Sequence, residues 1–220
     1  MSEIKYVCFD IGGVANVPIL SYLVLSSAQK QWGNLSEDDW RKMIHPQVDG
    51  KDIWRIFQNG DINAEQYISV AFSTVHIPST SENKIFFRSL LEEWCGVPYR
   101  PILDLVDRLK ANGYHTSVLS NNNEIMYNTP GAEIKNHVDV AISSHEIGVS
   151  KPHWGAFCVL LGKIKAATPK EALFIDNKAE NTDAAIKYGL QGFHFRSKKL
   201  GMDGAFTKFV QYLLEKGVRI

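Results

Sequence analysis

From about residue 99 onward the sequence alternates short apolar runs with helical patterns, and this alternation restricts the fold more than any other feature. Residues 115–120, 138–143, 172–175 and 192–195 read as strands, since short apolar runs bounded by turn residues mark strands buried on both faces. Between them lie helical patterns. Ile102, Leu103, Leu105, Val106 and Leu109 have helical spacing that stops at Asn112-Gly113. Further helices follow Lys151-Pro152, cover 179–188 up to Gly189, and span roughly 203–216, while Thr168-Pro169-Lys170-Glu171 forms a capped turn before the strand at 172. Strands that alternate with crossover helices build a parallel sheet covered on both faces. The run over residues 4–9, which stops at Asp10 before Gly12-Gly13, supplies the first strand. The fold class is α/β, with a doubly wound parallel sheet.

Residues 19–95 interrupt this pattern. Helix starts recur there: Ser36 with Asp39 three residues on, Asp61 or Asn63 before Glu65-Gln66, and Ser79, Thr80 or Ser81 before Ile85. Ile53, Trp54 and Phe57, and then Tyr67, Ile68, Ala71 and Phe72, have helical spacing. The chain divides into an α/β core at 1–15 and 99–220 and a helical cap at 16–98, inserted after the first strand.

Composition excludes several classes of partner. Lys plus Arg and Asp plus Glu both number 24, so there is no general field to steer nucleic acid or an anionic membrane. An anion must be held by a local site. The three cysteines, Cys8, Cys95 and Cys158, are scattered and odd in number, unlike a disulfide framework. Residues 1–5 lead straight into an apolar strand without a signal-peptide pattern, and no apolar stretch is long enough to span a bilayer. A reducing cytoplasm is the expected compartment, so the glycosylation-type triplet Asn34-Leu35-Ser36 carries no weight.

Ligands of open α/β sheets bind at the carboxyl ends of the strands. That rule gathers Asp10, then Ser120 and Asn121, then Asp176 and Asn177, with Lys151 from the loop after the third strand. Two carboxylates repel unless a cation lies between them. Magnesium suits this set, because it binds through one or two carboxylates and substrate phosphate. Asp10 is the candidate nucleophile toward phosphorus. Ser120, the amides beside it and Lys151 are candidate holders of phosphoryl oxygens. Asn177 can hold a metal-bound water through its amide oxygen, and Glu180 could add charge to that second shell.

In order and spacing, Phe9-Asp10-Ile11-Gly12-Gly13-Val14, Val118-Leu119-Ser120-Asn121, Ser150-Lys151-Pro152 and Leu173-Phe174-Ile175-Asp176-Asn177 resemble the four motifs of the haloacid dehalogenase (HAD)-like hydrolase superfamily. The branch is similar to helical-cap subfamily I, and within it to glucose-1-phosphate phosphatase-like proteins with Asp-x-Gly-Gly in the first motif. The resemblance implies a Rossmann-like core and magnesium held by Asp10, the Gly12 backbone carbonyl and Asp176. It also implies hydrolysis of a small phosphorylated metabolite, in a sugar-phosphate class, through an aspartyl-phosphate.

Two departures stand out. Phosphatases of the superfamily usually carry an acid/base Asp where this chain has Gly12, and many carry a second Asp where it has Asn177. General acid catalysis is worth about 10²- to 10⁴-fold, so good leaving groups are the expected substrates. Two other readings stay open: a metal-independent 2-haloacid dehalogenase, which leaves Asp176 unexplained, and a catalytically impaired relative that binds a phosphorylated ligand as a regulator. Other residues invite roles with weaker support. Asn16 could face the reaction centre as a donor, Trp40 and Trp54 could line a sugar pocket, and His145 or His153 could reach the site. Each also has an ordinary structural explanation.

Overall fold

The computed structural model describes residues 4–33 and 35–220. Residues 1–3 and Asn34 of the glycosylation-type triplet lie outside them. Strand β1 (Tyr6–Phe9) leads into a tight turn at Ile11–Ala15 and a short strand β2 (Asn16–Val17). Then come α1 (Ser21–Trp32), α2 (Glu37–Ile44), the ribbon β3 (Gln47–Val48) and β4 (Lys51–Asp52), α3 (Ile53–Gln58), α4 (Ala64–Val75) and α5 (Ser81–Trp94). Strand β5 (Val97–Pro98) pairs antiparallel with β2, so the chain enters and leaves the helical insert through one two-stranded ribbon. The remainder runs α6 (Arg100–Ala111), β6 (His115–Ser120), β7 (Val140–Ser143), α7 (Ser144–Ile147), α8 (Trp154–Ile164), β8 (Ala172–Asp176), α9 (Ala179–Lys187), β9 (Gln191–His194) and α10 (Ser197–Glu215).

The main sheet has five strands in the order β7-β6-β1-β8-β9, all parallel. Successive side chains of a strand point to opposite faces. Val7, Phe9, Leu173 and Ile175 therefore pack on one side with Leu105, Val106, Leu109 and Phe209 of α6 and α10. Cys8, Leu119 and Phe174 pack on the other with Phe157, Leu160 and Ala185 of α8 and α9. From β1 the chain passes to β6 on one side, and after β7 it crosses back to β8 on the other. The carboxyl ends of β1, β6 and β8 thus meet at the reversal, which is where a doubly wound sheet opens a crevice.

The insert has its own core of Trp40, Met43, Phe57, Tyr67, Phe72 and Phe87, joined by Ile125 from the loop after β6. Trp54 also lies in this core, in edge-on or tilted contact with His45, Phe57, Tyr67 and Trp94, and neither Trp40 nor Trp54 lines the cleft beside Lys151. The helix starts resolve to Ser36 with Asp39, Asn63 with Gln66, and Thr80, each accepting an orphan amide of the first turn. The last helix begins at Ser197, earlier than its apolar pattern suggests. Gly201 breaks it at φ 72°, and the regular apolar face starts only beyond that break.

Candidate active site

The ammonium of Lys151 lies between the two carboxylates that the sequence places on the rim. It donates to Asp10 Oδ1 at 2.8 Å, to Asp176 Oδ2 at 2.7 Å and to the Leu119 carbonyl at 2.7 Å. Three strand ends and one loop thus share a single cation. The cation that separates the carboxylates is a side chain of the protein, and all three of its protons are engaged.

Each partner is held in turn. Asn121 clamps the backbone of Lys151: its Nδ2 donates to the Lys151 carbonyl at 2.7 Å, and its Oδ1 accepts from the Lys151 amide at 2.8 Å. Its side chain thereby positions the lysine, where the sequence suggested only a backbone contact to substrate. Asp176 accepts from the Lys178 amide at 2.8 Å and from Asn181 Nδ2 at 2.9 Å. Asn181 Oδ1 is buried without a partner among the described residues. Side-chain exposure is 0% for Asp176, 1% for Lys151 and 11% for Asp10, so Asp10 is the member of the trio that an incoming molecule can reach.

Burial raises the pKa of the Asp10 carboxyl, and the charge of Asp176 acts in the same direction, while Lys151 opposes both. For Lys151 burial acts downward, but the charges of Asp10 and Asp176 outweigh it and hold the ammonium above its usual value. Two carboxylates and one ammonium leave a buried formal charge of −1. That imbalance, with the carboxylate oxygens of Asp10 and Asp176 on one ammonium, fits a hard divalent cation. Among the described residues no cluster of three His, Cys, Asp or Glu side chains forms. The other ligands of such a cation would therefore be water and substrate oxygens.

The two glycines after Asp10 differ in kind. Gly13 is left-handed at φ 70°, and a Cβ there would lie 2.4 Å from Asn177 Nδ2, so the turn requires glycine. Asn177 accordingly packs beneath the turn, and its carbonyl faces His194 Nε2 at 3.2 Å. Gly12 has φ −63° and ψ 108°, which any residue adopts, and the nearest atom to a Cβ there is Asp10 Oδ2 at 3.9 Å. Backbone geometry does not explain the missing side chain at 12.

The turn is tied down from both sides. The Gly13 amide donates to Asn16 Oδ1 at 2.9 Å, Asn16 Nδ2 donates to the Cys95 carbonyl at 2.7 Å, and Ser197 Oγ donates to the Gly13 carbonyl at 2.7 Å. Asn16 therefore braces the turn against the ribbon that leads into the insert and does not face the reaction centre. Ser197 lies before the helical pattern at 203–216 and carries no sequence signal, and the positioning role of Asn181 has only a polar residue inside a helical pattern as its signal. Ser120 ends β6, buried and in register with Ser143. Asn123 caps the next turn by accepting from the amides of Ile125 and Met126. His145 pairs with Ser143 Oγ at 2.6 Å, and His153 caps α8 at its rim.

A cleft of about 810 Å³ opens between insert and core beside Lys151, and neither Asp10 nor Asp176 is among the residues that line it. It is lined by Arg55, Gln58 and Asn59 of the insert, and by Asn121, 148–153, Lys178 and Glu180 of the core. Gln58 closes one side, with its Nε2 on the Asn121 carbonyl at 3.2 Å and its own carbonyl accepting from Ser144 Oγ at 2.5 Å. Ser150 Oγ donates to Asn59, and the Ala64 amide donates to Glu124 at 2.6 Å. A separate hollow of about 370 Å³ within the insert, beside Trp40 and Trp94, shares no lining residue with this cleft. Among the described residues no helix is long and apolar enough to cross a membrane.

The sequence model of the family described as hydrolase, haloacid dehalogenase-like hydrolase, matches residues 23–189. No curated protein matches the chain. Solved structures do. A HAD family enzyme from Bacteroides thetaiotaomicron, in complex with magnesium and inorganic phosphate, is 21% identical with a TM-score of 0.69, over 86% of this chain and 93% of that one. A predicted HAD-like family hydrolase from Porphyromonas gingivalis is 20% identical with a TM-score of 0.69, over 87% and 91%. The L-2-haloacid dehalogenase from Xanthobacter autotrophicus, with chloropropionic acid covalently bound, is 16% identical with a TM-score of 0.60, over 86% and 76%. At these identities the likeness is one of fold.

Proposed function

The chain belongs to the haloacid dehalogenase-like hydrolases, and from that premise we propose that it is a magnesium-dependent phosphatase of a small phosphomonoester that works through an aspartyl-phosphate on Asp10. The observation that carries this reading is the second carboxylate. Asp176 is fully buried, shares Lys151 with Asp10, and is braced by Asn181 and the Lys178 amide. A nucleophile that displaces a group from carbon needs no such neighbour. A site that must hold a divalent cation against a phosphate does.

In this reading Asp10 attacks phosphorus in line. The bond from phosphorus to the ester oxygen breaks as the bond to Asp10 forms. The departing alkoxide takes its proton from water, because Gly12 offers none. Water then attacks the aspartyl-phosphate, releasing inorganic phosphate and restoring the Asp10 carboxylate. Lys151 stays protonated throughout and lends its charge to the phosphoryl oxygens, while Asn121 keeps it in place. Asp10, Asp176 and the Gly12 carbonyl would hold magnesium, which when bound neutralises charge on the phosphoryl group. Ser120 stands at the strand end as a phosphate ligand, and Asn177 and Glu180 belong to the outer shell.

Gly12 favours a second reading. Without an acid/base at this position the pair Asp10–Lys151 could serve a metal-independent 2-haloacid dehalogenase, or the site could bind a phosphorylated ligand without turnover. The deciding experiment is hydrolysis of p-nitrophenyl phosphate and acetyl phosphate, with and without magnesium, by the parent and by Asp10→Asn. Metal-dependent release that disappears in the variant is the expected result. Chloride release from 2-chloropropionate without metal would replace the reading by the dehalogenase, and inorganic phosphate binding without any turnover by the regulator.

A further inference from the structure

The main sheet ends at β9, which pairs with β8 on one side and, among the described residues, with no strand on the other. The Phe195 amide turns inward and donates to the Asp176 carbonyl at 2.8 Å. Backbone polar groups of successive strand residues alternate between the two edges, so Gly192 and His194 direct theirs outward. Among the described residues no loop or side chain bonds to the amides or carbonyls of those two residues on that side. The His194 ring is engaged elsewhere, on the Asn177 carbonyl. An open row of this kind is a template for a further strand.

A hollow of about 450 Å³ lies beside that edge, between Gly192, Phe193 and His194 and the first half of α10. Its floor is apolar. Phe193 packs there against Phe209 and Tyr212, with the small Ala205 and the exposed Leu200 beside it. Its rim is basic, formed by Arg196, Lys199 and Lys208. All three are exposed and none is in an ion pair among the described residues; Lys208 donates to Gln211 Oε1 at 3.4 Å.

No residue that lines the hollow is acidic. The carboxylates of α10 are engaged away from it. Asp203 accepts from the Tyr99 hydroxyl at 2.5 Å, and Glu215, in the last turn, accepts from Gln211 at 2.9 Å. Glu180 and Asp183 belong to α9, which covers the opposite face of the sheet. The positive charge at this edge is therefore unbalanced. Like charges across a strand pair repel and opposite charges attract, so this rim disfavours a second copy of the same edge and favours an acidic strand.

We propose that the outer edge of β9 is a docking site for an extended acidic segment of a partner protein, which adds to the sheet as a sixth strand. The backbone of that segment pairs with Gly192 and His194, its carboxylates meet Arg196, Lys199 and Lys208, and its alternate apolar side chains lie on Phe193 and Leu200. A small anion would use the cations and leave the edge amides bare; an extended chain satisfies both. The proposal is independent of the reaction at Asp10.

The test uses the full-length protein and a fluorescein-labelled heptapeptide of alternating glutamate and valine, followed by fluorescence anisotropy. Two controls accompany it: the lysine–valine counterpart, and the glutamate–valine peptide N-methylated at every amide, which keeps the charges and loses the donors. The acidic peptide should bind at least tenfold tighter than either control. At saturation, NMR-detected hydrogen exchange of the Gly192 and His194 amides should slow at least tenfold. Lys199→Glu and Lys208→Glu replace attraction by repulsion at exposed positions and should each weaken binding at least threefold. Equal binding of the N-methylated peptide would mean that charge alone is recognised and overturns the proposal. So does an absence of binding, unprotected Gly192 and His194 amides, affinity that both variants leave intact, or sedimentation showing that a second copy of the chain already covers this edge.

Discussion

Gly12→Asp tests the chemistry most directly, because the structure leaves room for it. The backbone at 12 has φ −63° and ψ 108°, and an added Cβ approaches no atom nearer than Asp10 Oδ2 at 3.9 Å. The substitution therefore introduces neither a clash nor backbone strain. Its carboxyl would stand about 5 Å from Asp10, where two ionised groups repel by about 3 kcal/mol at an effective dielectric near 20. That repulsion raises the pKa of the newcomer, as burial and Asp176 already do for Asp10, and keeps a proton on it for the leaving group. A positioned general acid is worth about 10²- to 10⁴-fold, or about 3–5 kcal/mol of barrier. The assay is kcat/KM with magnesium on glycerol 3-phosphate, a poor leaving group, and on p-nitrophenyl phosphate, a good one. The variant should gain at least 10²-fold on the first and under tenfold on the second, while Gly12→Asn, of equal size but without the acid, gains on neither. Equal gains on both substrates, or no gain from folded, magnesium-responsive Gly12→Asp, would refute the reasoning that a missing proton donor limits this site.

Other outcomes follow from the same geometry. Lys151→Met strands two buried carboxylates and should cost about 3–5 kcal/mol, read as a lowered Tm that magnesium raises more than it does in the parent; an unchanged Tm would remove the lysine from its bridging role. Burial acts upward on Asp139, but the Thr116 amide at 2.9 Å and Lys110 at 3.1 Å outweigh it and hold the carboxyl below its usual value. A folded pKa below the unfolded one gives stabilisation that is full above the ordinary carboxylate range and lost as pH falls through the folded value. Asp139→Asn should therefore lower Tm at pH 7 and flatten its fall below about pH 4, whereas parallel acid limbs would contradict the shift. Cys158 is exposed, Cys95 is buried with its pKa raised, and burial pushes the Cys8 thiol up to about 12. A thiol reagent on native protein should label Cys158 alone, as peptide mapping reads, and labelling of Cys8 without unfolding would contradict that burial.

The strand runs and stop residues in the sequence marked the doubly wound sheet because apolar runs that end abruptly at polar residues are a local record of burial. They also placed Asp10, Ser120 and Asp176 at strand ends. Helix starts were legible for the same reason: a side chain three residues from its amide is a local matter, as at Ser36 and Asn63. The ribbon of β2 with β5 was not legible, since two residues pairing across eighty carry no periodic signal. Neither was the first turn of α10, whose apolar face begins only beyond Gly201.

What the sequence by itself determined was therefore which residues stand at the carboxyl ends of the strands, Asp10, Ser120 and Asp176 among them. Strand order then brings Asp10, Asp176 and Lys151 within hydrogen-bonding distance, across 141 residues in one case and 25 in the other. Only the tertiary structure decided that Lys151 bridges both carboxylates, that Asn121 holds the lysine by its backbone, that Asn16 braces the turn, and that Arg55 and Lys178 share a cleft. Those are contacts between distant segments. They depend on how layers pack and where the insert closes, and no spacing along the chain encodes either.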